Sequence, residues 1–155
     1  MHELRDVTEA DRDWLYDLNR AAMRDYVIQT WGAWDEVFQR SHFDDHFTTL
    51  DQQIIVVDGA DAGVLIVHHE PTRLVLGEIQ LLPDYQSRGI GTAVVRDLLA
   101  RAASAALPLE LQVLKVNPAR ALYERLGFAV VGETDTHHLM RARPTVAHPA
   151  DHATQ

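Results

Sequence analysis

Residues 81–95 read "LLPDYQSRGIGTAVV", and this stretch decides the fold. An apolar run ends at Pro83, a turn follows, and Gly89 and Gly91 stand one residue apart. Apolar residues then recur at three- and four-residue spacing: Ile90, Val94, Val95, Leu98, Leu99 and Ala102. The pattern predicts a strand (Arg73–Leu82), a loop, and an amphipathic helix from Ser87 to about Ala106. The first turn of such a helix has unpaired N–H groups and the positive end of the macrodipole, so it favours an anion. Glycines let the backbone approach that anion closely, and Arg88 adds a mobile cation. Two phosphate loops fail on residue grounds. A Walker A loop needs Lys-Ser or Lys-Thr after the glycines, and a dinucleotide fingerprint needs a small residue where Val94 stands. Taken alone, the glycines suit a tightly packed helix start equally well.

Working outward, His2 to Val7 is a predicted strand. Thr8 is a helix cap with Asp11 three residues on, and the helix pattern runs through Trp14, Leu15, Leu18, Ala22 and Tyr26 to an interruption at Gly32. A second helix spans Asp35 to Phe47. Gln53–Val57, Ala62–His69 and Arg73–Leu82 are strands separated by "DGAD" and "EPT", which predicts an antiparallel meander. After the long helix come a strand at Leu109–Leu114 and a short helix with Asn117 as N-cap, Pro118 first and Gly127 beyond its end. Phe128–Gly132 and His138–Ala142 close the order β-α-α-β-β-β-α-β-α-β-β. The fold class is α/β (α+β): a mixed, mostly antiparallel central sheet of about seven strands flanked by about four helices. Residues 1–143 form one domain, and 144–155, "PTVAHPADHATQ", are expected to be a disordered tail.

The 155 residues suit one domain, and the absence of cysteine removes disulfides and thiol chemistry. A net charge of −9, from 14 basic and 23 acidic residues, argues against nucleic acid as a partner. It suits a cationic partner, or simply a solvated surface. The acidic N-terminus has no secretory h-region and no apolar run is long enough for a bilayer, so the expectation is a cytoplasmic protein with no membrane partner.

The segment Gln86-Ser87-Arg88-Gly89-Ile90-Gly91 resembles the acetyl-CoA-binding signature Q/R-x-x-G-x-G/A of the GNAT superfamily of N-acetyltransferases. "LLPDY" before it resembles the strand end and turn that the family carries there. "NPARALYERLGF", 117–128, is similar to a second family block, an Asn followed by L-Y-x-x-x-G-F. The resemblance spans the chain up to Arg143. It implies an acetyl-CoA-dependent N-acetyltransferase fold and activity, with acetyl-CoA as co-substrate and no metal. The acceptor would be a primary amine, on a small molecule or a peptide, attacking directly in a ternary complex. Lack of cysteine excludes a cysteinyl acyl-enzyme.

By the same resemblance, Gln86, Ser87, Arg88, Gly89, Ile90, Gly91 and Thr92 hold the coenzyme A pyrophosphate. Leu81 and Leu82 lend their backbone to the pantetheine arm, and the Leu82 N–H is the oxyanion donor. Asn117 contacts the cofactor, although its cap role alone would account for it. Tyr123 matches the tyrosine that protonates the departing sulfur, as a phenol that is neutral at pH 7 can; its position beside Leu122 and Leu126 also suits packing. Dimers are frequent in the family, so a homodimer is an expected assembly.

The base is more open. Glu78 lies on the strand before the loop, but the position where family members commonly carry a strand glutamate falls on Val75. A bulge would change which residues face the cleft. His68, His69 or a water chain are alternatives. The acceptor site is expected at Glu78 and at the joint of the first two helices, where Tyr26, Trp31 and Trp34 lie beside Asp25, Asp35 and Glu36. Aromatics and carboxylates together suit a cationic amine, and the same aromatics would also anchor helices to the core. His42 and His46 share a helix face, but the zincin motif needs Glu where Phe43 stands. A non-catalytic acyl-CoA sensor or interaction module on the same fold is the alternative function.

Overall fold

The computed structural model describes residues 2–144; the tail expected at 144–155 lies, past Pro144, outside the described residues. The strands are β1 (His2–Asp6), β2 (Gln52–Val57), β3 (Ala60–Glu70), β4 (Arg73–Leu81), β5 (Leu109–Leu114), β6 (Ala129–Glu133) and β7 (His137–Ala142). The helices are α1 (Arg12–Trp31), α2 (Glu36–His46), α3 (Ile90–Ser104) and α4 (Ala119–Arg125), with single 3₁₀ turns at Glu9–Asp11 and Pro83–Tyr85. One seven-stranded sheet runs in the order β1-β2-β3-β4-β5-β7-β6. Only β4 and β5 are parallel, and α3 makes the crossover between them that a parallel pair needs. This is the mixed, mostly antiparallel sheet with four helices that the sequence pattern predicts. Among the described residues no helix is long and apolar enough to cross a membrane.

Local chemistry sets the helix ends. The Thr8 N–H donates to Asp11 Oδ2 at 2.9 Å, and Arg5 grips both Asp11 oxygens at 3.0 Å, tying the start of α1 to β1. Asp35 caps α2 by accepting the Phe38 N–H at 3.0 Å. Asn117 Oδ1 accepts the Ala119 N–H at 2.9 Å, so it caps α4, which begins one residue later than the Pro118 start expected from sequence.

The two sheet faces are filled unequally. The α3–α4 face holds the larger core, including Leu65, Leu76, Val94, Leu98, Leu109, Phe128 and Met140. Each such fully buried side chain contributes roughly 1.5–3 kcal/mol. The opposite face holds a smaller cluster, Val7, Leu15, Leu18, Ile54 and Val64, under the first half of α1. No residue of α2 is fully buried; it rests on the sheet through half-buried Phe43. Space is therefore left under the second half of α1 and under α2.

A bulge in β4 shapes that space. Ile66 pairs with Glu78, but the next residue, Val67, pairs with Leu76, so Gly77 is an extra residue. Leu76 and Ile79 consequently face the α3 core together, while Val75 and Glu78 both line the cavity under α1. Beyond Leu76↔Leu111 the pairing of β4 with β5 ends and the strands part. Gly63 on β3 holds β4 close at this point: a Cβ there would lie 2.1 Å from the Gln80 carbonyl oxygen.

Candidate active site

The cleft between β4 and β5 opens into two cavities. One, of about 440 Å³, is lined by Gln86, Ser87, Gly89, Gly91 and Thr92 of the loop, by Ile79 and Leu81 of β4, and by Asn117, Leu122 and Tyr123. The other, of about 560 Å³, lies under α1 and is lined by Glu78, Trp31, Trp34, Gln39, His42, Gln112 and His137 among others. Tyr123, Asn117, Ile79 and Met23 line both.

In the loop, Ser87 (φ +59°) and Gly89 (φ +81°) are left-handed, a conformation that glycine adopts without Cβ strain. The Ala93 N–H is the first to bond back, to the Gly89 carbonyl at 3.1 Å. The N–H groups of residues 89–92 thus precede the helical ladder and stand at its positive end. Gln86 Nε2 donates to the Leu81 carbonyl at 3.0 Å, which fastens the loop to β4. Arg88 folds back on its own turn, donating to the Asp84 carbonyl at 3.1 Å with its guanidinium 5.2 Å from the Tyr85 ring centre. Arg88 and Ile90 are not among the residues lining the cavity.

The Leu82 N–H, expected as an oxyanion donor, donates to the Ala62 carbonyl at 2.9 Å and is thereby committed to β3. Strand alternation turns the polar groups of Leu81 and Ile79 the other way, as the Leu81 carbonyl held by Gln86 shows. The Ile79 N–H therefore points into the gap where β5 has separated.

Glu78 is half-buried on the wall of the cavity under α1. Burial pushes its carboxyl up to about 7, against a smaller opposing pull from the Gln80 amide. Gln80, the one fully buried polar residue among those described, donates through Nε2 to Asn19 Oδ1 at 2.9 Å. Tyr123 is buried, and its phenol is pushed up to about 12 by burial and then by the charge of Glu78. It stays protonated across the neutral range. His137 keeps a pKa below the usual imidazole value because it is partly buried. His68 pairs instead with Asp51 at 3.3 Å, and neither it nor His69 lines the cavity of Glu78.

Trp31 and Trp34 line the cavity of Glu78, whereas Tyr26 lines the loop-side cavity. The neighbouring carboxylates are engaged elsewhere. Glu36 accepts from the Tyr16 hydroxyl, from Trp34 Nε1 at 3.1 Å, and pairs with Arg20 at 3.3 Å. These contacts, Tyr16 first, hold its carboxyl below the usual range. Asp35 is the α2 cap, and Asp25 does not line the cavity. The His42 and His46 rings lie tilted at 34° with centroids 4.2 Å apart, and no group of three or more metal-ligating side chains occurs among the described residues. Sequence reading did not single out Gln80, Asn19, Gln39, Gln112 or His137. Period-two alternation from Glu78 would have reached Gln80; the rest come from separate elements.

A family model described as "Acetyltransferase (GNAT) domain" matches residues 45–130, just over half of the chain. No curated protein matches the sequence. Among solved structures, the chain is similar to the PaiA N-acetyltransferase of Thermoplasma acidophilum in complex with coenzyme A. That match has a TM-score of 0.73 and 16% identity over 92% of this chain and 99% of that one. It is also similar to the ribosomal-protein-S18-alanine N-acetyltransferase of Escherichia coli, with a TM-score of 0.68 and 22% identity over 96% and 97% of the two chains. At these identities the structural likeness is one of fold.

Proposed function

Because the chain belongs to the acetyltransferase (GNAT) domain family, we propose that it transfers the acetyl group of acetyl-CoA to a primary amine by direct attack with both substrates bound. The observation that carries this reading is the position of Tyr123, a protonated phenol on the wall common to the loop-side cavity and the Glu78 cavity. The residues present suit coenzyme A: free N–H groups at a helix start for the pyrophosphate, and the outward-turned Ile79 carbonyl and Leu81 N–H for an amide-bearing arm. When bound, acetyl-CoA supplies an activated thioester carbonyl.

The remaining chemistry falls to the chain. Glu78, with its carboxyl near 7, takes the proton that an ammonium must lose before its nitrogen can attack. The Ile79 N–H is available to negative charge developing on the carbonyl oxygen. Tyr123 delivers a proton to the departing sulfur. Thiol release from acetyl-CoA over a panel of amines tests the reading. Amine-dependent release is expected; tight coenzyme A binding with no release for any amine would instead support the sensor.

A further inference from the structure

The chamber holding Glu78 does not end at that residue. Asn19, Gln39, His42 and Glu78 also line an adjoining cavity of about 220 Å³ between α2 and the sheet, walled by Phe43 and Phe47. Across both spaces, and among the described residues, Glu78 is the only lining carboxylate, and no lysine or arginine lines either. The acids nearest Trp34 are already used, Glu36 by Tyr16, Trp34 and Arg20, and Asp35 by the α2 backbone.

This charge inventory restricts the acceptor. One ammonium has a carboxylate to meet in a chamber whose wall includes the aromatic side chains of Trp31 and Trp34. A second ammonium on the same molecule would be desolvated without a partner. A carboxylate or phosphate would find no lysine or arginine, only the imidazoles of His42, His46 and His137, and would share the space with Glu78, with like charges opposed. The remaining lining mixes uncharged polar side chains, Asn19, Gln39, Gln112 and Asn117, with apolar Met23, Val27 and Leu114. Resting on the acetyl-transfer reading, we infer that the acceptor is a primary monoamine whose body is otherwise uncharged.

Matched pairs test this. Phenethylamine is compared with phenylalanine, which adds a carboxylate, and hexylamine with hexamethylenediamine, which adds an ammonium. Binding to the full chain with coenzyme A present is read by calorimetry, and thiol release from acetyl-CoA is read separately. The monoamine of each pair is expected to bind about tenfold tighter or better, and Glu78→Gln to remove most of that binding. Equal or tighter binding of phenylalanine or of the diamine would overturn the inference, as would no binding of any of the four. The expected ranking without thiol release would keep the acceptor class and overturn acetyl transfer. Thiol release with the opposite ranking would do the reverse.

Discussion

Glu78 and Tyr123 face one cavity from different elements, the carboxylate on β4 and the phenol on α4, and the charge of the first helps to hold the proton on the second. Their environments push both pKa values up, to about 7 and about 12. The result is one group able to take a proton at neutral pH and another that keeps one. Such a pair divides base and acid roles across the point where two substrates would meet.

Turnover should rise with pH through a limb near 7 as Glu78 ionises, since its carboxylate is the competent form. Glu78→Gln should remove that limb and lower kcat by roughly 10²–10⁴-fold. The pH–rate profile of both proteins checks this, and a limb that survives the substitution assigns it to another group.

The same residue should cost stability. Its folded-state pKa is raised from 4.5 to about 7, so the folded protein binds the proton more tightly than the unfolded chain does. Stability from this group is full below about 4.5 and declines as pH rises to about 7, by at most ~3 kcal/mol. Urea unfolding should find Glu78→Gln more stable than the parent at pH 8 and nearly equal to it at pH 4.5.

Tyr123→Phe should lower turnover by about 10²-fold or more while leaving coenzyme A affinity and melting temperature close to the parent values. The ring keeps its edge-to-face contact with Phe128, 5.6 Å between centroids, and only the hydroxyl is lost. Single-turnover kinetics and calorimetry separate the two effects; unchanged turnover removes the acid role.

Gln80→Leu should move the acidic limb to higher pH, because the amide that pulls the Glu78 carboxyl down is gone. It also leaves Asn19 Oδ1 without its donor, at a cost of about 1–3 kcal/mol. A pH–rate profile with an unmoved limb would show that Gln80 serves packing alone.

Gly63→Ala should destabilise by about 3 kcal/mol or more, since its Cβ would meet the Gln80 carbonyl oxygen at 2.1 Å and force β4 away from β3. Denaturant unfolding gives the loss. Coenzyme A affinity should fall with it, because β4 carries both the arm-facing backbone and the loop.

The strand–loop–helix unit around Gly89, the capped α4 bearing Tyr123, and the meander of β2 to β4 were legible because each depends on a short run of neighbours. Apolar periodicity, a cap, or a glycine at a left-handed position acts within a turn or two of chain. Family blocks could be matched for the same reason. Asp35 is legible as the start of the second helix and as an acid near aromatics, but its bond to the Phe38 N–H is not, since a carboxylate in sequence does not disclose what it bonds.

Sequence alone determined the order of elements, the glycine loop at 86–92 and the presence of Tyr123 after it. Tertiary structure decided what those elements face. The extra residue at Gly77 exists only in the pairing of β4 with β3, and it turns Glu78 into the cavity together with Val75. Likewise the Leu82 N–H is lost to Ala62, and Glu36 to Tyr16, each through a partner 20 residues away in the chain. Burial, which sets the Glu78 carboxyl near 7, is a property of everything packed around a side chain, and no local run of residues encodes it.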